Sequence, residues 1–287
     1  MEDQVELSLT RPLGIDAAWT CQRPSGVAAA VQTEAGWSLA AVEASYLDFL
    51  TRARGGAADD RRPVGSLPDA GALVAASHLL CGRPIDRVAI DMPIGPRPIR
   101  GRRACDNMIS SMYGAKKAAV HSPSKTRPGP ISDALRADFE ALGLPVRTAL
   151  PAEGVIEAYP HAALIEFMGE TERLPYKADK TLTYWPDLPI EERHRKLREV
   201  WARIVEALDR RIAGVRAALP LPAPDMRGWP LKAFEDKLDA VVCAAVAAAA
   251  LDGKAAPHGD DEGAIWVPTA DARYHLRRRS RCARATQ

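Results

Sequence analysis

A chain of 287 residues with 47% hydrophobic and 26% charged residues has the composition of a globular protein, with a sizeable core in one large or two modest domains. Its formal charge of +2 announces no polyanion partner, and its long apolar stretch, Ala240 to Leu251, is too short to span a bilayer. The balance hides an uneven spread, because Arg277, Arg278, Arg279, Arg281 and Arg284 crowd the C-terminus while Met1 to Glu6 carries three acids.

In chain order, a strand at Gly14 to Trp19 leads into the turn Gln22-Arg23-Pro24-Ser25-Gly26, and strands Val27 to Thr33 and Trp37 to Val42 follow. Short strands joined by tight turns predict an antiparallel meander. Arg52 to Pro68 reads as a surface loop, Asp69 to Cys81 as a helix, and Val88 to Asp91 as a strand parallel to the first. Arg100 to Tyr113 and Ile131 to Leu142 read as helices flanking a long loop, Ala115 to Pro130. Then come a strand at Val155 to Ala158, a helix at His161 to Met168, and a long amphipathic helix over Glu191 to Leu219. The rigid stretch Pro220 to Pro224 precedes a last helix, Leu231 to Leu251, and Ala264 to Val267 adds an edge strand. The expected fold is α/β, a mixed sheet covered by helices.

Cys21, Cys81, Cys105, Cys243 and Cys282 are odd in number and lack CxxC spacing, so they read as reduced thiols. The N-terminus lacks the cationic and apolar segments of an export signal, which makes a cytoplasmic, membrane-free protein the expectation. The arginine-rich tail favours nucleic acid weakly, and a solvated, disordered end accounts for it more simply.

Four acids stand out. Asp16, Asp91 and Glu157 each end an apolar run, and Asp239 opens an apolar helix. Charges in apolar runs need partners, and the same runs hold no equal number of Lys or Arg, so a hard cation such as Mg²⁺ or Mn²⁺ is the simplest neutraliser. On the last helix Asp236 and Asp239 share a face with Cys243 and Val246, and Glu235 lies off it. The bland reading of each acid alone is a turn cap, a helix-dipole partner or a satisfied core residue. A second cluster is basic: Arg100, Arg102, Arg103, Lys116, Lys117, Lys125 and Arg127, interleaved with Tyr113, His121, Ser122 and Ser124. Such a loop suits phosphate binding, although Asp106 paired with an Arg gives a structural alternative. Lys177 and Lys180 are weaker candidates of the same kind.

The segments GIDAAW, AIDMPIG, RRACDNMISSMYG, AAVHSPS, VIEAYPHAAL and DKLDAVVCA resemble those of the domain-of-unknown-function 429 family, regarded as predicted nucleases of RNase H-like fold. The resemblance covers roughly residues 12 to 268. It implies a disordered N-terminus over 1–11, an RNase H-like domain with helical insertions around 100–145 and 170–225, and a basic tail over 269–287. It further implies that Asp16, Asp91, Glu157 and Asp239 are catalytic acids and that Asp16, Asp91, Asp236 and Asp239 hold metal, Asp236 matching the paired helix acids of RuvC-type resolvases. The expected chemistry is two-metal hydrolysis of nucleic-acid phosphodiesters with Mg²⁺ or Mn²⁺, Arg102, Arg103, Tyr113, Lys117, His121, Ser122 and Ser124 binding the substrate. Two rivals stand beside it. One is a non-catalytic nucleic-acid-binding protein of the same fold. The other is an ATP-dependent phosphotransferase, disfavoured because Ala17-Ala18-Trp19 replaces a Gly/Ser-rich phosphate loop and no GxxxxGK[ST] is present.

Overall fold

The computed structural model describes residues 10–57, 61–150 and 153–269. The N-terminal residues before Thr10, Cys282 and the arginines of the tail lie outside the described residues.

One mixed sheet of eight strands organises the chain, in the order β6-β3-β2-β1-β4-β5-β8-β7. Strands β1 (Pro12–Asp16), β2 (Gly26–Thr33) and β3 (Gly36–Glu43) form the expected antiparallel meander. Strands β4 (Arg87–Ile90) and β5 (Gly154–Ala158) then add in parallel to β1. A parallel β8 (Gly263–Pro268) and its antiparallel partner β7 (Ala255–Asp260) close one edge, and β6 (Ile212–Ala213) closes the other.

Side chains alternate across the sheet and bury on both faces. Leu13, Ile15, Val27, Val88, Ile90 and Val155 point to the face covered by α1 (Tyr46–Ala53), α2 (Ala70–Cys81) and α4 (Pro130–Ala141), where Phe49, Leu73 and Phe139 meet them. Ala28, Ala30, Ala89, Ile156 and Ala158 point to the opposite face, under α5 (Pro160–Met168), α7 (Ile190–Asp209) and α9 (Trp229–Leu251). The helix α3 (Ala104–Tyr113) covers the β7–β8 edge, and the short α6 (Thr181–Tyr184) packs on α7.

Helix α9 lies directly on the sheet because the residues at the contact are small. A Cβ on Gly14 would stand 2.2 Å from both the Ala240 carbonyl oxygen and the Ala244 nitrogen, and one on Gly26 would stand 2.1 Å from the Asp236 backbone carbonyl oxygen. Glycine on the strands and alanine on the helix therefore fix where the Asp236 turn of α9 rests.

Several expected elements differ. The long helix stops at Asp209 rather than Leu219, because Ile212 is drawn into pairing with Trp37 on β3; α8 (Val215–Ala218) follows. Strand β7 carries Pro257 and Gly259, which weaken a strand reading but are tolerated where one side has no partner. Helix α1 has a sequence signal, Ser45 accepting from the Asp48 nitrogen, just before the segment read as a loop. Strand β1 ends at Asp16 and α3 begins at Ala104, each shorter than expected. Among the described residues, no helix is long and apolar enough to cross a membrane, and Cys21, Cys81, Cys105 and Cys243 are free thiols.

Candidate functional site

Parallel pairing places Asp16 and Asp91 side by side. Ile15 is in register with Ile90, and the Asp91 nitrogen donates to the Ile15 carbonyl at 2.9 Å. Each acid shares the strand parity of the residue two before it, Gly14 and Ala89, and so faces α9. From α9 come Asp236 and Asp239, buried at 3% and 0% exposure.

Two lysines neutralise part of this cluster. Lys177 Nζ donates to Asp239 at 2.5 Å, and the Tyr176 hydroxyl donates to the other Asp239 oxygen at 2.7 Å. Lys232 Nζ bridges Glu235 at 2.7 Å and Asp236 at 2.6 Å. Glu235, expected off the functional face, is buried as well, because Lys177, Lys232 and the Ala178 nitrogen draw it in. The lysines come from outside the apolar runs, where the sequence showed no compensating cation.

Among the described residues no hydrogen bond or ion pair reaches the Asp16 or Asp91 carboxylate, and Asp236 Oδ2 is buried without a partner. Burial, then repulsion from Asp239 and Asp236, holds the Asp16 carboxyl well above its ordinary range. Burial pushes Asp91 up to about 7, with Lys177 opposing it and Asp239 and Glu157 reinforcing it. Burial likewise lifts Asp236 to about 6 against Lys232. Five carboxylates here face two ammonium groups, so the cluster at neutral pH holds either protons or further positive charge.

Glu157, expected among the catalytic acids, stands apart from the cluster. It lies opposite Ile90 in the register and shares the parity of Val155, so it leaves the sheet on the face away from α9. Both its oxygens are occupied: Arg103 donates to them at 2.7 and 2.8 Å, and the Ile94 nitrogen donates at 2.9 Å. Arg103 also holds Asp106 at 2.9 Å, which settles Asp106 as a structural partner.

The expected phosphate-binding loop is likewise spent largely inside the protein. Arg102 donates to Asn107, Ser110 and Ser122 and to the Asp106 carbonyl. Arg103 is buried in its carboxylate pairs, Tyr113 donates to Glu166 at 2.9 Å, and Lys117 pairs with Glu172 at 2.6 Å. Ser124 accepts from the Arg127 nitrogen in a tight turn. His121 alone of this set lines a cavity shared with Lys177 and Lys232. Sequence reading thus weighted the basic loop too heavily and Lys177 too lightly; Lys232, three residues before Glu235 and four before Asp236, was legible from helical spacing.

Whether the acids suit a divalent cation divides into chemistry and position. Hard oxygen donors, net negative charge and an orphaned Asp236 oxygen suit one. As positioned, no three His, Cys, Asp or Glu side chains among the described residues form a group that could hold a metal ion. The side chains stand as in a cluster neutralised by lysine, so the fit is one of donor type and charge.

No curated protein and no solved structure matches the chain. The model of one family, described as "Protein of unknown function (DUF429)", matches residues 14–263. Spanning nearly all of the sheet and the three elements that carry the acids, β1, β4 and α9, that match places the chain in the DUF429 family.

Proposed function

We propose that the chain is a divalent-cation-dependent nuclease of RNase H-like fold, hydrolysing nucleic-acid phosphodiesters at the cluster of Asp16, Asp91, Asp236 and Asp239. One observation carries the reading: two carboxylates with no partner among the described residues stand at the ends of adjacent parallel strands, facing two more on the helix that crosses them. An antiparallel meander followed by parallel strands, with an acid ending the first strand, supports the fold assignment.

Asp16 and Asp91 have lone pairs free for a cation, and Asp236 contributes its unpartnered oxygen. When bound there, Mg²⁺ or Mn²⁺ would supply positive charge to stabilise a phosphoryl oxygen and make an attacking water more acidic. Lys177 and Lys232 keep positive charge beside the acids and so offset the repulsion that a phosphate meets there. Glu157 acts at a distance, tying β5 to the loop before α3 through Arg103.

A competing reading, a non-catalytic nucleic-acid-binding protein, draws support from Lys177 seated on Asp239 as a permanent ion pair. The test is incubation of labelled single-stranded, duplex and hybrid substrates with Mg²⁺ or Mn²⁺, alongside calorimetry with Mn²⁺. Cleavage abolished by Asp16→Asn, with the unfolding transition retained, is the expected result. Absence of cleavage by the pure protein, whether or not Mn²⁺ binds, overturns the proposal.

A further inference from the structure

Two of the acids, Asp16 and Asp236, line a cavity that adjoins a second one. A cavity of about 650 Å³ is lined by Asp16, Asp236 and Trp229, and a second of about 870 Å³ shares Arg23, Gly228 and Lys232 with it. The second compartment is walled by His161, Arg173, Lys177, His194 and Arg227. Its charge is lopsided. Arg23, Arg173 and Arg227 form no salt bridge among the described residues. The two acids on the wall are already engaged, Glu235 by Lys232 and Lys177, and Asp179 by Lys180 at 3.7 Å.

Two histidines on this wall are more than nine-tenths buried, His161 at 9% and His194 at 7% exposure, and Nδ1 of each has no hydrogen-bond partner. The Arg173 Nε is in the same condition. Unpaired buried polar atoms cost about 1–3 kcal/mol each, and three of them gather on residues of this one cavity wall. A ligand of this compartment is anionic, given three guanidinium groups on its wall that pair with no carboxylate among the described residues. Each compartment also carries an aromatic ring, Tyr159 in the larger and Trp229, 38% exposed, in the smaller. Positive charge along a groove with rings for bases to stack on is the pattern that binds single strands. A compartment of about 870 Å³ is of small-ligand size, which admits unstacked nucleotides and not a duplex.

We propose that the compartment walled by His161, Arg173, His194 and Arg227 is a single-stranded nucleic-acid subsite, gripping phosphates of the strand whose neighbouring phosphodiester lies against the acids. The fate of the strand rests on the nuclease reading; its binding does not.

The test uses the whole chain in EDTA and a fluorescein-labelled oligothymidylate of about ten nucleotides, within the range bound by single-strand grooves, followed by anisotropy. Wild type binds, and the paired variant Arg173→Ala with Arg227→Ala loses at least about tenfold in affinity and about 1.4 from the salt slope, roughly 0.7 for each lost phosphate contact. Arg227→Glu, at an exposed position, weakens binding with the thermal midpoint unchanged. Thymidine monophosphate and a duplex of equal length compete poorly. Equal affinity of wild type and both variants, absence of binding by wild type, or full competition by the monophosphate or the duplex overturns the proposal. Strand binding in EDTA without cleavage in Mn²⁺ sinks the nuclease and leaves the subsite; cleavage with the same KM in the paired variant sinks the subsite and leaves the nuclease.

Discussion

Replacing Asp91 by Asn should stabilise the cation-free protein above neutral pH and do little below pH 5. In the folded chain Asp91 ionises near 7 because burial and the Asp239 and Glu157 charges outweigh Lys177, against an ordinary value of 3.8. The folded state therefore binds a proton that the unfolded state has released between those two values. Stability from this group is full below about pH 4 and falls as pH rises through 7. The interval, 7 − 3.8 or about 3 pH units, corresponds to at most about 4 kcal/mol at ~1.4 kcal/mol per unit. Asp91 keeps some solvent contact, so about 2 kcal/mol is the working figure. Asn keeps the shape and removes the titration. At roughly 2–4 °C per kcal/mol, Asp91→Asn should melt about 4–8 °C above wild type at pH 8 in EDTA, and within about 1 °C of it at pH 4.5. A variant that melts below wild type at pH 8, or whose difference is the same at both pH values, would show that Asp91 is not a strained carboxylate and would refute the reasoning.

Mn²⁺ should raise the wild-type melting temperature at pH 8 and not at pH 5, where protons compete for Asp16, Asp91 and Asp236; at a hundredfold excess over Kd the gain is about 2.7 kcal/mol, read by differential scanning fluorimetry. Lys177→Met leaves Asp239, fully buried, with Tyr176 as its hydrogen-bond donor, so denaturant unfolding in EDTA should show a loss of about 3–5 kcal/mol that Mn²⁺ partly restores. Glu157→Gln should leave Mn²⁺ affinity by calorimetry within about threefold of wild type because Glu157 faces away from α9, whereas Asp16→Asn should weaken it at least about tenfold. Gly14→Ala puts a Cβ 2.2 Å from the α9 backbone and should cost at least about 3 kcal/mol, or prevent folding, by circular dichroism.

The meander, the parallel β4 and the last helix were legible because their signals are local: alternating short apolar runs, a Pro-Ser-Gly turn, a long alanine-rich segment. Strand β7 was hidden by Pro257 and Gly259, and the end of α7 depended on a pairing partner, Trp37, far away in sequence. The same division runs through the site. Asp16 and Asp91 share a local pattern, and the structure sets them side by side; Lys177 carries no local mark that it reaches Asp239.

Glu157 shows why pattern alone misassigns an acid. Strands buried on both faces read as continuous apolar runs, so VAID and VIEA look alike, and nothing in either says which face the acid takes. The register decides it: pairing Ile90 with Glu157 puts Glu157 in phase with Val155, one residue out of phase with Asp91. That single step moves a carboxylate from the α9 face to Arg103, where both its oxygens are taken. A shift of that strand by one residue would return Glu157 to the acid cluster and expel Ile156 and Ala158 from the core under α9, so the core packing itself excludes the acid from the site.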